Sequence, residues 1–343
     1  MHMFNKQLDF IAIGDITTDA FIKLKEAHVN CSINTSACEL CMKFGDKVPF
    51  EEVHIVKSVG NSPNAAVSAA RLGLSSSLIT NVGDDQNGRD CVAELKKNDV
   101  GAKFVDLDKT KVTNFHYVLW YDVDRTILVH HEDYNYKLPK AFVNGPAPKW
   151  IYLSSVGSSS YPYHVEIAEY MKRHPETKLA FQPGTFQMKI GASQLKDIYA
   201  ETEVFIVNTE ESQRVLGLEE KGFTDIAAMK ELLKSCRALG PKIVLITDGP
   251  KGAYMFDGDH YYFMPIYPDP KPPYERTGCG DAFASTFVSA LLLGHTPLEA
   301  LVWAPVNPMS VVQYVGAQQG LLTREQIEDL LKHAPENYKP REI

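Results

Sequence analysis

No stretch of this 343-residue sequence approaches the roughly 18 consecutive apolar residues of a membrane span, and its opening, MHMFNKQLDFIAIGD, enters a strand pattern without the apolar core of a secretion signal. No membrane partner is therefore expected, and a cytoplasmic location is. Basic charge is short as well: 35 Lys and Arg against 43 Asp and Glu give a net charge of −8, with no basic cluster, which argues against nucleic acid as a partner. Cysteine is sparse, six residues at 31, 38, 41, 91, 236 and 279, too scattered for a disulfide framework, so reduced thiols are expected. No G-x-x-x-x-G-K-[ST] occurs, which excludes a P-loop kinase. The nearest approach to a dinucleotide fingerprint, at Gly278 and Gly280, carries Phe283 in place of the third glycine and follows a proline-rich loop instead of a strand.

What is present is a 44% hydrophobic composition, enough for a substantial core. From Trp150 onward short β-rich runs (WIYLSS, KLAFQ, VFIVN, KIVLITDG) alternate with helical patterns (YHVEIAEYMKRH, FTDIAAMKELLKSCRAL). That alternation predicts a mostly parallel sheet with helices on both faces. TPLEA at 296–300 and TREQ at 323–326 read as capping boxes that open helices. The first third departs from the pattern. Strand and hairpin signals at about 16–55 and 112–131 predict a small sheet inserted as a lid into a single domain spanning 1–343.

The stretch ERTGCGDAF at 275–283 places two glycines and an aspartate where a helix begins. A helix N-terminus presents about four unpaired N–H groups and a partial positive charge, and glycines let an anion come close. Asp281 would repel that anion unless it either caps the helix or takes a proton from a hydroxyl attacking phosphorus. Four further strand ends carry polar groups. IGDITTDAF offers Asp15 and Asp19, the second suited to accept from substrate hydroxyls, and SVGNSPNAA offers Gly60, Asn61 and Asn64 before an Ala-rich helix. VFIVNTEES spaces Asn208 and Glu211 as a capping box that can also hold the water shell of Mg²⁺. LITDGPKGAY supplies Thr247, Gly249 and Gly252 for nucleotide phosphates or ribose. His28, Cys31, Cys38 and Cys41 could hold zinc or simply pack, and no metal is expected there.

In order and across almost the whole chain, RTGCGDAF, NTEE, VGNSPNAAVSAARLG and VGDDQNG resemble the signatures of the ribokinase-like (PfkB) carbohydrate kinase family. The resemblance implies a three-layer α/β/α core with a small β lid. It implies an ATP- and Mg²⁺-dependent phosphotransferase acting on a hydroxymethyl group of a small sugar. Asp281 would be the base, and Gly278, Cys279 and Gly280 the anion hole. Asp19, Gly60, Asn61 and Asn64 would bind the acceptor, Thr247, Gly249 and Gly252 the nucleotide, and Asn307 would lie near the adenine. A nucleoside kinase of the same fold, or a catalytically silent sugar-binding regulator, is the alternative. Phe115, Tyr117 and Trp120 could build a slot for a nucleoside base, and Arg125 could meet a sugar acid. The family's usual Asp-Thr-Thr is replaced by Glu275, Arg276 and Thr277, and Gln182 stands where relatives carry Asp or Asn. The acidic position contributes to a monovalent-cation site in relatives, so a cofactor of that kind stays open. So does a homodimer through the lid.

Overall fold

The computed structural model describes residues 7–31, 38–121, 124–222 and 225–343. Among these, ten strands form one sheet in the order Arg341–Glu342, Tyr261–Met264, Ala253–Phe256, Ile243–Thr247, Thr202–Asn208, Lys178–Phe181, Trp150–Leu153, Phe10–Ile13, Ser76–Gly83 and Gly101–Asp108. From Ile243–Thr247 to Gly101–Asp108 every pairing is parallel; the other three strands add antiparallel to the edge. The central parallel strands, such as Phe10–Ile13, Trp150–Leu153 and Ile243–Thr247, are apolar runs because both faces are covered, whereas the edge strand Gly101–Asp108 has no fully buried residue. Along Phe10–Ile13, Phe10 and Ala12 enter one core cluster and Ile11 and Ile13 the other, the period-two alternation of a strand.

Helices Asn61–Arg71, Cys279–Leu292, Pro297–Trp303 and Val306–Val311 pack into the first cluster, and Tyr161–Arg173, Lys196–Glu201 and Ile226–Arg237 into the second. The two expected capping boxes are formed: Thr296 with Glu299 and Thr323 with Gln326 exchange side-chain and backbone hydrogen bonds. No helix among the described residues is long and apolar enough to cross a membrane.

A separate four-stranded sheet runs in the order Phe50–Val59, Thr17–Leu24, Phe115–Tyr121, Asp124–His130, with its central pair parallel and the outer pairs antiparallel. It reaches Val59, beyond the segment expected from the sequence. The hairpin His28–Cys31 and Cys38–Cys41 stands beside it as a two-stranded sheet. Cys31 and Cys38 face each other in that register and are disulfide-bonded, with Cα atoms 4.1 Å apart. This corrects the expectation of reduced thiols and removes two of the four candidate zinc donors. Cys41, Cys91, Cys236 and Cys279 are free. Among the described residues no cluster of three or more His, Cys, Asp or Glu side chains could hold a metal ion.

Candidate active site

Parallel strands deliver their carboxyl ends to one rim of the sheet, and the polar groups collect there. Asp15 follows Phe10–Ile13, Gln182 follows Lys178–Phe181, and Asn208 and Thr247 end neighbouring strands as register partners. Helix Cys279–Leu292 points its first turn at the same rim. Its N-cap, Gly278, sits at φ +84°, a left-handed conformation, and a Cβ there would overlap Ala317. Gly60 sits at φ +123°, with the Asp15 carbonyl 2.8 Å from where a Cβ would lie. Both turns therefore need glycine.

Asp281, in the helix's first turn, is buried. Its carboxylate is held by three side-chain amides from three different parts of the chain. Asn61 Nδ2 and Gln182 Nε2 donate to Oδ1 at 2.8 and 3.2 Å, and Asn64 Nδ2 donates to Oδ2 at 2.8 Å. These amides are themselves oriented: Gln318 donates to Asn64 Oδ1 at 2.9 Å, and the Tyr152 hydroxyl donates to Gln182 Oε1. Burial raises the Asp281 pKa above its ordinary value, and the three amide donors oppose that shift. The result is a desolvated, fixed carboxylate beside a helix N-terminus. Cys279 next to it is no thiolate, because burial, helped by Glu275, pushes its thiol up to about 12.

Two cavities open here. The first, about 360 Å³, is lined by Asp19, Gly60, Asn61, Asn64, Asn208, Glu211 and Thr247 together with residues 278–281. The second, about 530 Å³, takes in Asn208, Thr247, Gly249, Gly252, Cys279 and Gly280, with a floor that includes Phe283, Pro305 and Pro308. Of the residues expected as base, anion hole, acceptor site, nucleotide site and Mg²⁺ site, all but one line these two cavities. Asn307 does not. It is fully buried, donating to Thr286 Oγ1 and accepting from the Leu322 amide, both at 2.8 Å. Its flanking prolines face the cavity instead, so its placement by the adenine is corrected to a role inside the core.

Asn208 and Glu211 form a full capping box: the Glu211 amide donates to Asn208 Oδ1 at 2.8 Å, and the Asn208 amide to Glu211 Oε2 at 2.9 Å. Burial and then the nearby Asp281 charge raise the Glu211 pKa, although its bond from Asn208 acts the other way. Two desolvated acids facing one cavity favour a cation between them. With no protein cage of acids among the described residues, the donor set suits a hydrated Mg²⁺ that takes most of its ligands from water and phosphate.

At the far end of the first cavity, Asp19 and His116 are register partners in the small sheet, with His116 Nδ1 3.2 Å from Asp19 Oδ1. Asp19 Oδ1 and His116 Nε2 are buried without a hydrogen-bond partner among the described residues. Both residues line the first cavity, where water or a ligand can complete these atoms. Asp15 lies behind, accepting from the Tyr136 hydroxyl at 3.1 Å with His131 3.5 Å away. His116 was not legible as a site residue, since only strand pairing brings it beside Asp19. Gln182 could have been found from its place just past a buried strand.

A buried carboxylate at a helix N-terminus, between two cavities on the rim of a parallel sheet, is the arrangement of a phosphotransferase with an alcohol group as acceptor. The profile of the pfkB family carbohydrate kinases matches residues 30–324, and the chain belongs to that family. Over an alignment 352 positions long it is 26% identical to the 5-dehydro-2-deoxygluconokinase of Geobacillus thermodenitrificans, covering 96% of this chain and 94% of that protein. Its fold matches Arabidopsis thaliana ribokinase complexed with ribose and ATP, with a TM-score of 0.78 at 18% identity over 95% of this chain and 99% of that one. A structure from E. coli in complex with ATP and Mg²⁺ matches with a TM-score of 0.68 at 16% identity, over 95% and 99% of the two chains.

Proposed function

We propose that this chain transfers the γ-phosphoryl group of ATP, in the presence of Mg²⁺, to a hydroxymethyl group of a small neutral sugar. The observation that carries the reading is the Asp281 carboxylate, desolvated and aimed by three amides at the helix N-terminus where the two cavities meet. In this reading the sugar occupies the first cavity. Asp19 accepts from one hydroxyl, His116 meets another, and both buried orphan atoms gain partners. Asp281 takes the proton of the attacking hydroxyl, and the N–H groups at Gly278, Cys279 and Gly280 face the charge that builds on the phosphoryl oxygens. ATP lies in the second cavity, with Thr247, Gly249 and Gly252 along its phosphates and ribose. Asn208 and Glu211 would hold Mg²⁺ through water, and the ion would neutralise phosphate charge. The small sheet acts as the lid that keeps water from the reaction.

A sugar acid is the second reading, because Arg125 from the small sheet also lines the first cavity. Phe115, Tyr117 and Trp120, the aromatic side chains from which a nucleoside slot was expected, are absent from that wall, where Phe21 and His116 are the aromatic rings among the described residues. Glu275 is occupied by Thr277, the Gly316 amide and Arg125, so a guanidinium stands at the acidic position considered for a monovalent cation. The outer surface of the small sheet leaves Val53, Ile55 and Leu128 about half exposed, which supports including a homodimer through the lid in this proposal. The test is ADP release by the purified protein over neutral sugars, sugar acids and nucleosides. Turnover with neutral sugars supports the first reading, turnover confined to acids the second, and no turnover with any acceptor overturns the kinase assignment.

A further inference from the structure

The acceptor and nucleotide cavities share five lining residues: Asn208, Thr247, Arg276, Cys279 and Gly280. A phosphoryl group moving from one cavity to the other has to cross this seam. Its three equatorial oxygens carry the charge of the transition state, and there is little for a protein to do except position and neutralise them. Asp281 and Glu211, which line the first cavity, add negative charge. Asn208, Thr247, Cys279 and Gly280 offer only neutral donors. Arg276 is the one cation among the described residues that lines both cavities.

The other cations of the two walls are engaged elsewhere. Arg125 lies 3.7 Å from Glu275, and Lys251 lies 3.2 Å from Asp248. Arg276 is exposed in the loop just before the N-cap Gly278, and its charge is felt by Asp269 on one side and Cys279 on the other. A guanidinium presents a planar fork of donors that matches two phosphoryl oxygens at once.

We propose that Arg276 is a further catalytic residue whose guanidinium donates to the equatorial oxygens of the phosphoryl group in transit, beside the N–H groups of the helix N-terminus. The inference rests on the phosphotransferase reading above. The acceptor oxygen bonds to phosphorus as the bridging P–O bond breaks. The acceptor proton passes to Asp281, and the bond's electron pair leaves with ADP. Arg276 exchanges neither proton nor electrons and acts only by charge and hydrogen bonding.

The experiment compares wild type, Arg276→Lys and Arg276→Met with the best acceptor from the ADP-release screen, after thermal melts have shown that all three fold. For Arg276→Met, kcat falls by about 10²- to 10³-fold, the usual cost of one oxyanion donor, while KM for ATP and the calorimetric affinity for ADP stay within about threefold. Added guanidinium restores part of the lost rate, and Arg276→Lys lies between the two. A kcat for Arg276→Met within about threefold of wild type overturns the proposal, as does a loss carried entirely by KM for ATP, which would mark a nucleotide-docking residue. A wild type inert towards every acceptor sinks the kinase reading itself; an active wild type beside an equally active Met variant sinks only the role of Arg276.

Discussion

Replacing Asp281 with Asn tests the centre of the mechanism, because the structure separates what the side chain does for the fold from what it does for a proton. The carboxylate receives three amide hydrogen bonds, two on Oδ1 and one on Oδ2. An asparagine that turns its oxygen to Asn61 and Gln182 keeps the first two and sets its own NH₂ against the Asn64 NH₂. Asn64 cannot flip to help, since its oxygen already accepts from Gln318. One charge-assisted bond is lost, about 1.5–3 kcal/mol. Against this, the variant no longer buries a charge. The Asp281 pKa is raised in the folded state, so its ionisation costs stability in full above the folded pKa and not at all below the unfolded one. The balance therefore moves in the variant's favour as pH rises through that window.

For activity there is no such offset: kcat falls by about 10²- to 10⁴-fold, or roughly 2.7–5.4 kcal/mol of transition-state stabilisation, and the acid limb of the rate profile that reports the base disappears. Urea unfolding and an ADP-release assay across pH check both halves. A folded variant within tenfold of the wild-type rate refutes the assignment of the base, and a stability loss beyond about 3 kcal/mol refutes the hydrogen-bond accounting.

Three further outcomes follow from the same geometry. Glu211→Gln removes a desolvated charge from the wall of the first cavity while leaving an oxygen to cap Asn208, so on the proposed mechanism the Mg²⁺ concentration needed for half-maximal rate rises and KM for the acceptor barely moves; an unchanged metal titration counts against the metal role. Asp19→Ala raises the acceptor KM sharply and leaves KM for ATP nearly constant, because Asp19 lines the first cavity and not the second; equal effects on both would place it elsewhere. Alkylation of the denatured, unreduced protein, read by mass, adds four groups, one for each of Cys41, Cys91, Cys236 and Cys279; six would show that Cys31 and Cys38 are not joined.

The parallel core was legible because its strands are short apolar runs bounded by turns, and the candidate site because its residues sit just past the ends of those runs or at a glycine-marked helix start. Local chemistry of that kind is written in consecutive residues. The failures are of another kind. The disulfide depends on the register that sets Cys31 against Cys38, and no spacing rule specifies register. Asn307 lies in a helix that turns it to Thr286 while Pro305 and Pro308 take the cavity side, a rotation that propensity cannot set. His116 meets Asp19 only through a parallel pairing of strands nearly a hundred residues apart. Gln182 was noticed as an unusual residue, and its service to Asp281 became visible only once both strand ends were in place.

The amide cradle around Asp281 also bears on how the chain comes to be active. Its three donors lie 220, 217 and 99 positions away in sequence. Contacts of that span close late, after local helices and hairpins have formed, because the entropy of ordering the intervening chain has to be met first. A nascent chain that has emerged only as far as the strand Tyr261–Met264 already contains both asparagines and the glutamine but has no carboxylate for them to hold. Catalytic competence is thus a property of the finished fold, and in refolding, recovery of turnover trails recovery of helical signal. Partly folded chains that end before residue 281 hold Thr247, Gly249 and Gly252 of the second cavity without Asp281, which on the proposed mechanism leaves them unable to deprotonate an acceptor.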